Sequence, residues 1–161
     1  MILVDTSAWI DWFRGGVKGV ALKNLIDQKT SLAVTGLIVT ELLQGARHET
    51  DRLAVERIIS NYPLLSTKGL PTYRHAAELY QACRRQGQTP RKSIDCVIAA
   101  IAIERQCLLF HDDRDFDIIA QFNPLQIYRA PQDLPEPPPQ IAERSPHYGH
   151  KRSGKQSPKS L

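Results

Sequence analysis

The segment Ile2-Leu3-Val4-Asp5-Thr6-Ser7 decides the fold of this chain. Its three apolar residues predict a short buried strand, and Thr6 or Ser7 can cap a helix that continues through Phe13. The pair Gly15-Gly16 is expected to end that helix. A short apolar strand followed directly by a helix is typical of α/β proteins.

The same alternation of strand and helix continues to residue 130. Short apolar strands separated by helices predict a parallel sheet that is covered by helices on both faces, which is a three-layer α/β fold. The predicted strands are 2–4, 31–34, 64–66, 107–110 and 125–128. After the first helix, the predicted helices are 17–28, 37–46, 51–60, 72–85, 94–105 and 116–120.

The composition changes at Pro131. Seven of the 31 residues from 131 to 161 are proline, and five Lys or Arg against three Asp or Glu give the segment a net charge of +2. Such a segment cannot bury enough apolar surface to offset its ordering entropy. We therefore predict one folded domain at 1–130 and a disordered, Pro-rich, basic tail at 131–161. The tail either has no role or contacts RNA or an acidic partner.

Composition also excludes several classes of protein. The chain has 161 residues, of which 42% are hydrophobic and 24% are charged, as in soluble globular proteins. No apolar run reaches the ~18 residues of a membrane span. Three cysteines without C-x-x-C spacing predict reduced thiols, and with no signal-like N-terminus they favour a cytoplasmic protein. The net charge of +4 permits a polyanionic partner without proving one.

Acidic residues in apolar surroundings are the most informative feature. Three of them, Asp5, Asp113 and Asp115, follow predicted strands, and two, Glu41 and Asp95, lie in apolar helices. Ligand sites of parallel sheets lie at the carboxyl ends of the strands. A carboxylate removed from water costs several kcal/mol unless it is paired or binds a cation. Because few Lys or Arg residues lie in these stretches, we expect the acids to converge on Mg²⁺ or Mn²⁺.

Taken singly, each acid also has a purely structural explanation. Asp95 could interact with its helix dipole, Asp5 could cap a helix, and Glu41 could be a surface residue. The run 112–115 could be a solvated loop. Only the combination favours a metal site, and sequence spacing alone does not show that the acids meet.

Four segments carry a resemblance to a known family. They are Val4–Ser7 with Trp9-Ile10, Val39–Gly45, Ser93–Ala100 and His111–Ala120. In this order and at this spacing they resemble the PIN-domain family, and most closely the VapC-type toxins of toxin–antitoxin pairs. The resemblance covers about residues 1–130 and leaves the tail uncovered.

The resemblance implies a PIN-like nuclease domain at 1–130, with a parallel sheet flanked by helices. It also implies a Mg²⁺-dependent endoribonuclease that hydrolyses an RNA phosphodiester with a metal-activated water. The implied partners are an RNA substrate, a cognate VapB-type antitoxin and a second copy of the chain.

Residue by residue, Asp5, Glu41 and Asp95 match the first three family acids, and the fourth matches Asp113 or Asp115. The predicted catalytic set is therefore Asp5, Glu41, Asp95, Asp113 and Asp115. All but Glu41 are predicted to bind the metal, while Glu41 positions or deprotonates the attacking water. Two hydroxyl residues, Thr6 and Ser93, are predicted to orient the ligands. The predicted RNA contacts are Arg84, Arg85, Arg91 and Lys92, whose alternative is an exposed helix end and loop.

Two rival functions follow from the same residues. The first is a non-catalytic PIN-like module that binds RNA or a partner. The second is a phosphatase with Asp5 as nucleophile, which is disfavoured because Ser7 stands where a second acid is expected. The early aromatic residues Trp9, Trp12 and Phe13 either line a groove for an antitoxin helix or belong to the core.

Overall fold

The computed structural model describes residues 1–130, and the predicted tail at 131–161 lies outside the described residues. Within 1–130 a parallel sheet is flanked by helices, so the predicted α/β fold is confirmed. The strands are β1 (Ile2–Val4), β2 (Leu32–Thr35), β3 (Leu64–Leu65) and β4 (Leu108–Phe110). The helices are α1 (Thr6–Arg14), α2 (Val17–Asp27), α3 (Gly36–Gly45), α4 (Glu49–Ile59), α5 (Leu70–Arg85), α6 (Ser93–Glu104) and α7 (Arg114–Phe122).

The sheet has the strand order β3-β2-β1-β4, which makes β1 a central strand. Ile2 lies opposite Leu32 of β2 on one side and opposite Leu108 of β4 on the other. All three residues of β1 are buried, as expected for a parallel sheet covered on both faces. Because the strands are parallel, the residues that follow β1, β2 and β4 meet at one edge of the sheet.

The boundaries of α1 follow from its capping residues. The N-cap is Asp5, whose side chain accepts from the amide of Ser7, so the expectation that Thr6 or Ser7 caps this helix is wrong. Asp5 takes this role because its backbone is still extended and its carboxylate reaches the free amides of the first turn. At the other end Gly15 adopts the left-handed conformation (φ 71°), which ends the helix as predicted.

The most apolar helix, α6, is buried as its sequence indicates. Ile98, Ala99 and Ala102 are fully buried, and the helix packs against α5 and α7. Ser93, which as a serine before the apolar run 94–103 is predicted to cap this helix, is instead its first residue; the N-cap is Lys92, without a side-chain hydrogen bond. None of the helices in residues 1–130 is long and apolar enough to cross a membrane.

The prediction of a fifth strand at 125–128 is wrong. Only one parallel bridge forms there, between Leu109 and Ile127. Two backbone hydrogen bonds support it, from Leu109 N to Gln126 O and from Tyr128 N to Leu109 O, both 2.8 Å long. The segment begins just after Pro124, which has no amide to donate, and so the pairing remains too short for a strand.

The early aromatic residues belong to the core. Trp9 and Phe13 are buried, and Trp12 is half-buried with its ring 5.7 Å from that of Trp9 in an edge-to-face contact. Trp9 also contacts Tyr62, with ring centroids 5.3 Å apart. Of the two interpretations of these rings, the structure therefore favours core packing over an open groove.

Candidate active site

Four elements place the five predicted acids at the carboxyl edge of the sheet. Asp5 directly follows β1, Glu41 lies in α3, Asp95 lies in the first turn of α6, Asp113 is the N-cap of α7, and Asp115 lies in its first turn. The amide of Asp5 donates to the carbonyl of Phe110 at 2.9 Å, which joins the ends of β1 and β4. The acids thus share one edge, as the sequence predicts for ligand residues of a parallel sheet.

Asp5 is buried (4% exposed) at the centre of this edge. Its Oδ2 accepts from the amide of Ser7 at 2.8 Å and from the Ser7 hydroxyl at 2.5 Å. Burial raises the pKa of Asp5 to about 6; the two bonds from Ser7 oppose this shift, and the neighbouring Glu41 adds to it. Asp5 therefore carries an electrostatic penalty when ionised, which a cation would relieve.

Glu41 is held by a residue of a different element. The hydroxyl of Thr6, in the first turn of α1, donates to Glu41 Oε2 at 2.7 Å. Because Thr6 follows Asp5 directly, this bond fixes the distance between the end of β1 and the α3 acid. Thr6 thus bonds Glu41 rather than one of the four predicted metal ligands, and its role in orienting those ligands stays a prediction.

Asp95 faces the other acids from α6. It is 3% exposed, and its Oδ2 is buried with no hydrogen-bond partner among residues 1–130. Burial is the largest cause that raises its pKa to about 7; Lys92 opposes the shift, while Asp5, Asp113 and Asp115 add to it. Asp95 is therefore close enough to be repelled by Asp5, Asp113 and Asp115, although Asp5 lies 90 positions before it in the sequence.

Arg91 holds the two acids of α7. Its guanidinium donates from Nε to Asp115 Oδ1 at 3.0 Å and from Nη2 to Asp113 Oδ1 at 2.7 Å, and its amide donates to Asp115 Oδ2 at 2.8 Å. Asp115 is 1% exposed, whereas the Arg91 side chain is 67% exposed. Arg91 is therefore a counter-ion of the acidic site, a role that differs from the RNA contact expected of it.

The other predicted contacts lie around the rim. Arg84 and Arg85 are exposed in the last turn of α5 and form no ion pair within residues 1–130. Lys92 is exposed and acts on Asp95 through its charge, and Ser93 is exposed as the first residue of α6. Among these four residues, Lys92 is the one whose charge acts on an acid of the site, namely Asp95. The contacts of Arg84, Arg85 and Lys92 with RNA stay a prediction.

Two of the acids, Asp5 and Asp95, have surroundings in which a divalent cation would relieve the cost of their buried charge. Among residues 1–130 no three Asp, Glu, His or Cys side chains are already grouped closely enough to hold an ion. However, no Lys or Arg within this part of the chain forms an ion pair with Asp5 or Asp95. Asp95 Oδ2 is unpartnered, and both pKa values are raised mainly by burial. Carboxylate oxygens are the donors that Mg²⁺ and Mn²⁺ prefer, and such an ion would offset the buried charge.

Sequence reasoning missed two residues of this site. One is Ser7, which bonds Asp5 and whose Oγ accepts from the amide of Asp112 at 2.9 Å, so it links the β1 and β4 ends. Its signal was present, since a Ser two residues after an Asp N-cap is placed to bond that acid. The other is Arg91 as a counter-ion, for which a separation of 22 and 24 residues from its partners gives no local signal.

Comparison with known proteins identifies the family. Residues 2–121 match the family described as PIN domain, and the chain belongs to that family. Ribonuclease VapC11 of Mycobacterium tuberculosis is 38% identical over 129 residues, which cover 78% of this chain and 96% of that protein. This chain is thus a VapC-type member of the PIN-domain family, and the resemblance noted from its sequence is confirmed.

Solved structures agree with the fold. The DNA-bound VapBC of Salmonella typhimurium aligns with a TM-score of 0.63 at 21% identity, over 79% of this chain and 96% of that chain. VapBC2 of Rickettsia felis, bound to a DNA fragment from its promoter, gives a TM-score of 0.61 at 15% identity, over 80% of this chain and 98% of that chain. At these identities the likeness concerns the fold alone.

Proposed function

We propose that this chain is an endoribonuclease that hydrolyses an RNA phosphodiester with the aid of Mg²⁺, or alternatively Mn²⁺. PIN-domain VapC nucleases are metal-dependent in general. The observation that carries the proposal is the pair Asp5 and Asp95, two buried acids without a cationic partner in residues 1–130, one of them with an unpartnered oxygen. Two like charges buried at one edge are costly, and a protein retains such an arrangement when a cation binds there.

In this mechanism the acids divide into two roles. Asp5 and Asp95 would hold the cation, and Asp113 and Asp115 would join them where Arg91 releases their carboxylates. A bound divalent ion lowers the pKa of water and stabilises charge on the phosphate. Glu41, fixed by the Thr6 hydroxyl, positions the attacking water and accepts its proton. Water adds to phosphorus as the bond to the 3′-oxygen breaks, which leaves a 5′-phosphate and a 3′-hydroxyl.

A non-catalytic binding module is the second candidate, and one observation favours it. Arg91 already pairs with both Asp113 and Asp115, so each of these acids has a cationic partner without a metal ion. In that case the same cleft would bind RNA or a partner without cutting it. Metal binding discriminates the two functions, because the module has no use for Mg²⁺ at Asp95.

The proposed partners follow from the family. Structures with the same fold are described as VapBC toxin–antitoxin complexes, and the relatives are named ribonucleases. We propose that this chain is the toxin of such a pair, that a cognate VapB-type antitoxin neutralises it, and that it acts on RNA in the cytoplasm as a homodimer. Release of the antitoxin is then expected to arrest growth.

The test is a pair of substitutions, Asp5→Asn and Asp95→Asn, each in the full chain. Both variants are expected to lose RNA cleavage and toxicity while their circular dichroism spectra stay those of the wild type. Asp27→Asn is the matched control, because Asp27 is exposed on α2 and pairs only with Lys23 in the described structure. Sequencing of RNA ends after brief expression identifies the cut sites. Cleavage at wild-type rates by both variants would refute the site.

A further inference from the structure

A cavity of about 580 Å³ opens beside the acidic cleft. Its walls come from the start of α2, the loop 111–114, the first turns of α7 and the segment 127–130. Asp113 belongs to both places, since it lines the cavity while its carboxylate bonds Arg91. The volume lies within the ~300–1,000 Å³ of small-molecule sites, which is enough for one nucleotide.

His111 contributes an unsatisfied donor to this cavity. The ring is buried (6% exposed), and its Nδ1 accepts from the amide of Asp113 at 3.2 Å. An imidazole nitrogen that accepts carries no proton, so the proton of the ring is on Nε2. That Nε2 is buried and has no hydrogen-bond partner among residues 1–130. Its nearest carboxylate, Asp117, also lines the cavity but lies 3.9 Å away, which is beyond a hydrogen bond.

The charges around the cavity favour an anion. Lys18 and Arg114 line it and form no ion pair within residues 1–130. A third cation, Arg129, is paired with Asp117 at 3.2 Å. Of the acids in the lining, Asp117 is paired with Arg129, Asp113 shares Arg91 with Asp115, and the exposed Asp112 forms no ion pair within residues 1–130. The wall holds three cations and three carboxylates, and Lys18 and Arg114 are the two cations that, within the described part of the chain, remain free to contact an anionic group.

The rest of the lining is apolar. Val17, Ala21 and Ile127 supply aliphatic surface, and Tyr128 supplies an aromatic ring that packs edge-on against Phe110. A ligand that matches all of these features carries a negative group, a hydrogen-bond acceptor and a flat apolar body. A nucleotide has these three parts in its phosphate, its base edge and its base plane.

We infer that this cavity binds one nucleotide of the RNA strand next to the bond that is cut, with its phosphate at Lys18 and Arg114 and a base acceptor at His111 Nε2. Asp117 Oδ1 lies 3.9 Å from this nitrogen, which leaves the donor without a hydrogen-bond partner among residues 1–130. Because the cavity shares Asp113 with the acidic cleft, a strand that fills the cavity continues into the cleft. The inference rests on the proposed function and deepens it by assigning a substrate subsite.

Binding without cleavage tests the inference. The full chain is titrated in EDTA with a fluorescent single-stranded RNA oligonucleotide, and the anisotropy is followed at several salt concentrations. Lys18→Gln is expected to weaken binding about tenfold and to reduce the slope of log affinity against log salt by about one. Lys23→Gln is the matched control, because Lys23 lies on the same helix, is exposed and does not line the cavity. Equal affinity for both variants and the wild type overturns the inference.

Two substitutions at His111 separate its two nitrogens. In His111→Asn the side-chain oxygen takes the place of Nδ1 and keeps the bond from Asp113, but the donor is lost. In His111→Gln the terminal amide takes the place of Nε2 and keeps the donor, but the acceptor is lost. RNA affinity is expected to fall about tenfold in the first variant and to remain within twofold in the second. If RNA affinity instead falls in His111→Gln and is retained in His111→Asn, the base contact at Nε2 is overturned and His111 has only a structural role.

A third arm distinguishes a strand from a free nucleotide. AMP, GMP, CMP and UMP are titrated in EDTA while the ¹⁵N signals of the His111 ring are recorded. Larger ¹⁵N shifts and tighter binding with the oligonucleotide than with any mononucleotide support the strand subsite. Saturation by a mononucleotide with equal or tighter affinity than the oligonucleotide overturns it. Failure of the nuclease proposal is separate: it would appear as retained cleavage in Asp95→Asn, whatever the anisotropy shows.

Discussion

Asp95→Asn is expected to make the protein more stable in EDTA at pH 8 while it removes cleavage. Asp95 is buried, has an unpartnered oxygen, and has its pKa raised to about 7 from an ordinary value of 3.8. A raised pKa in an acid means that the folded protein binds the proton more tightly than the unfolded chain does. The folded state therefore carries a penalty whenever Asp95 is ionised.

The size of this penalty follows from the shift in pKa. Each pH unit corresponds to about 1.4 kcal/mol, so a shift of roughly three units costs about 4 kcal/mol above pH 7. Asparagine removes the charge but brings a buried amide, which recovers part of its cost by donating to the neighbouring carboxylates. We expect a net gain of about 2 kcal/mol, or a rise in Tm of roughly 8 °C for a domain of this size.

The sign of the pH dependence gives a second check. Between about pH 4 and pH 7 the folded protein holds more protons than the unfolded chain, so wild-type stability falls as the pH rises through this window. The gain in Asp95→Asn is therefore small at pH 4.5 and complete at pH 8. Thermal unfolding followed by circular dichroism, with Asp27→Asn as an exposed control, measures both. A Tm at pH 8 equal to or below the wild type, or a gain independent of pH, would refute the reasoning.

Three further predictions concern the same site. Arg91→Gln removes the two side-chain hydrogen bonds to Asp115 and Asp113, whereas the third bond comes from the backbone amide and remains. The variant should be less stable than the wild type in EDTA, because the buried Asp115 loses its counter-ion, while Mg²⁺ binds more tightly by calorimetry; unchanged Mg²⁺ affinity would contradict competition between Arg91 and the ion. Thr6→Val frees Glu41 and should lower kcat at least tenfold with a change in Tm of only a few degrees, whereas unchanged kcat would exclude an orienting role. Because protons and metal compete for Asp95, Mg²⁺ should raise Tm more at pH 8 than at pH 5, and an equal rise at both would place the ion elsewhere.

The fold was largely predictable because its signals are local. The strand at 2–4 consists of three consecutive apolar residues, and α6 is apolar on all sides, so burial follows from composition. The segment 125–128 shows the limit of this reasoning. Its side chains suit a strand, but a strand also needs backbone partners, and only one residue pair forms the bridge. Backbone pairing between strands depends on both segments, so the sequence of one segment does not predict it.

The candidate site also has residues that a local sequence signal reveals and contacts that depend on the tertiary structure. Asp5 and Asp95 could be found from sequence because an acid inside an apolar pattern conflicts with burial, and such conflicts mark functional positions. The pairing of Arg91 with Asp115 could not, because it depends on how the loop before α6 approaches the start of α7. The acceptor role of His111 Nδ1 likewise depends on the turn of the loop at Asp113.

The contact made by Arg91 bears on the order in which the protein matures. A cluster of buried negative charges resists folding unless something positive arrives with it, and here the chain supplies that charge from its own loop. Under the proposed function, folding can be completed first, and binding of a divalent ion at Asp113 and Asp115 would then be a later exchange in which the Arg91 guanidinium leaves. A newly synthesised molecule would thus be folded but without cleavage activity until a divalent ion displaces the Arg91 guanidinium.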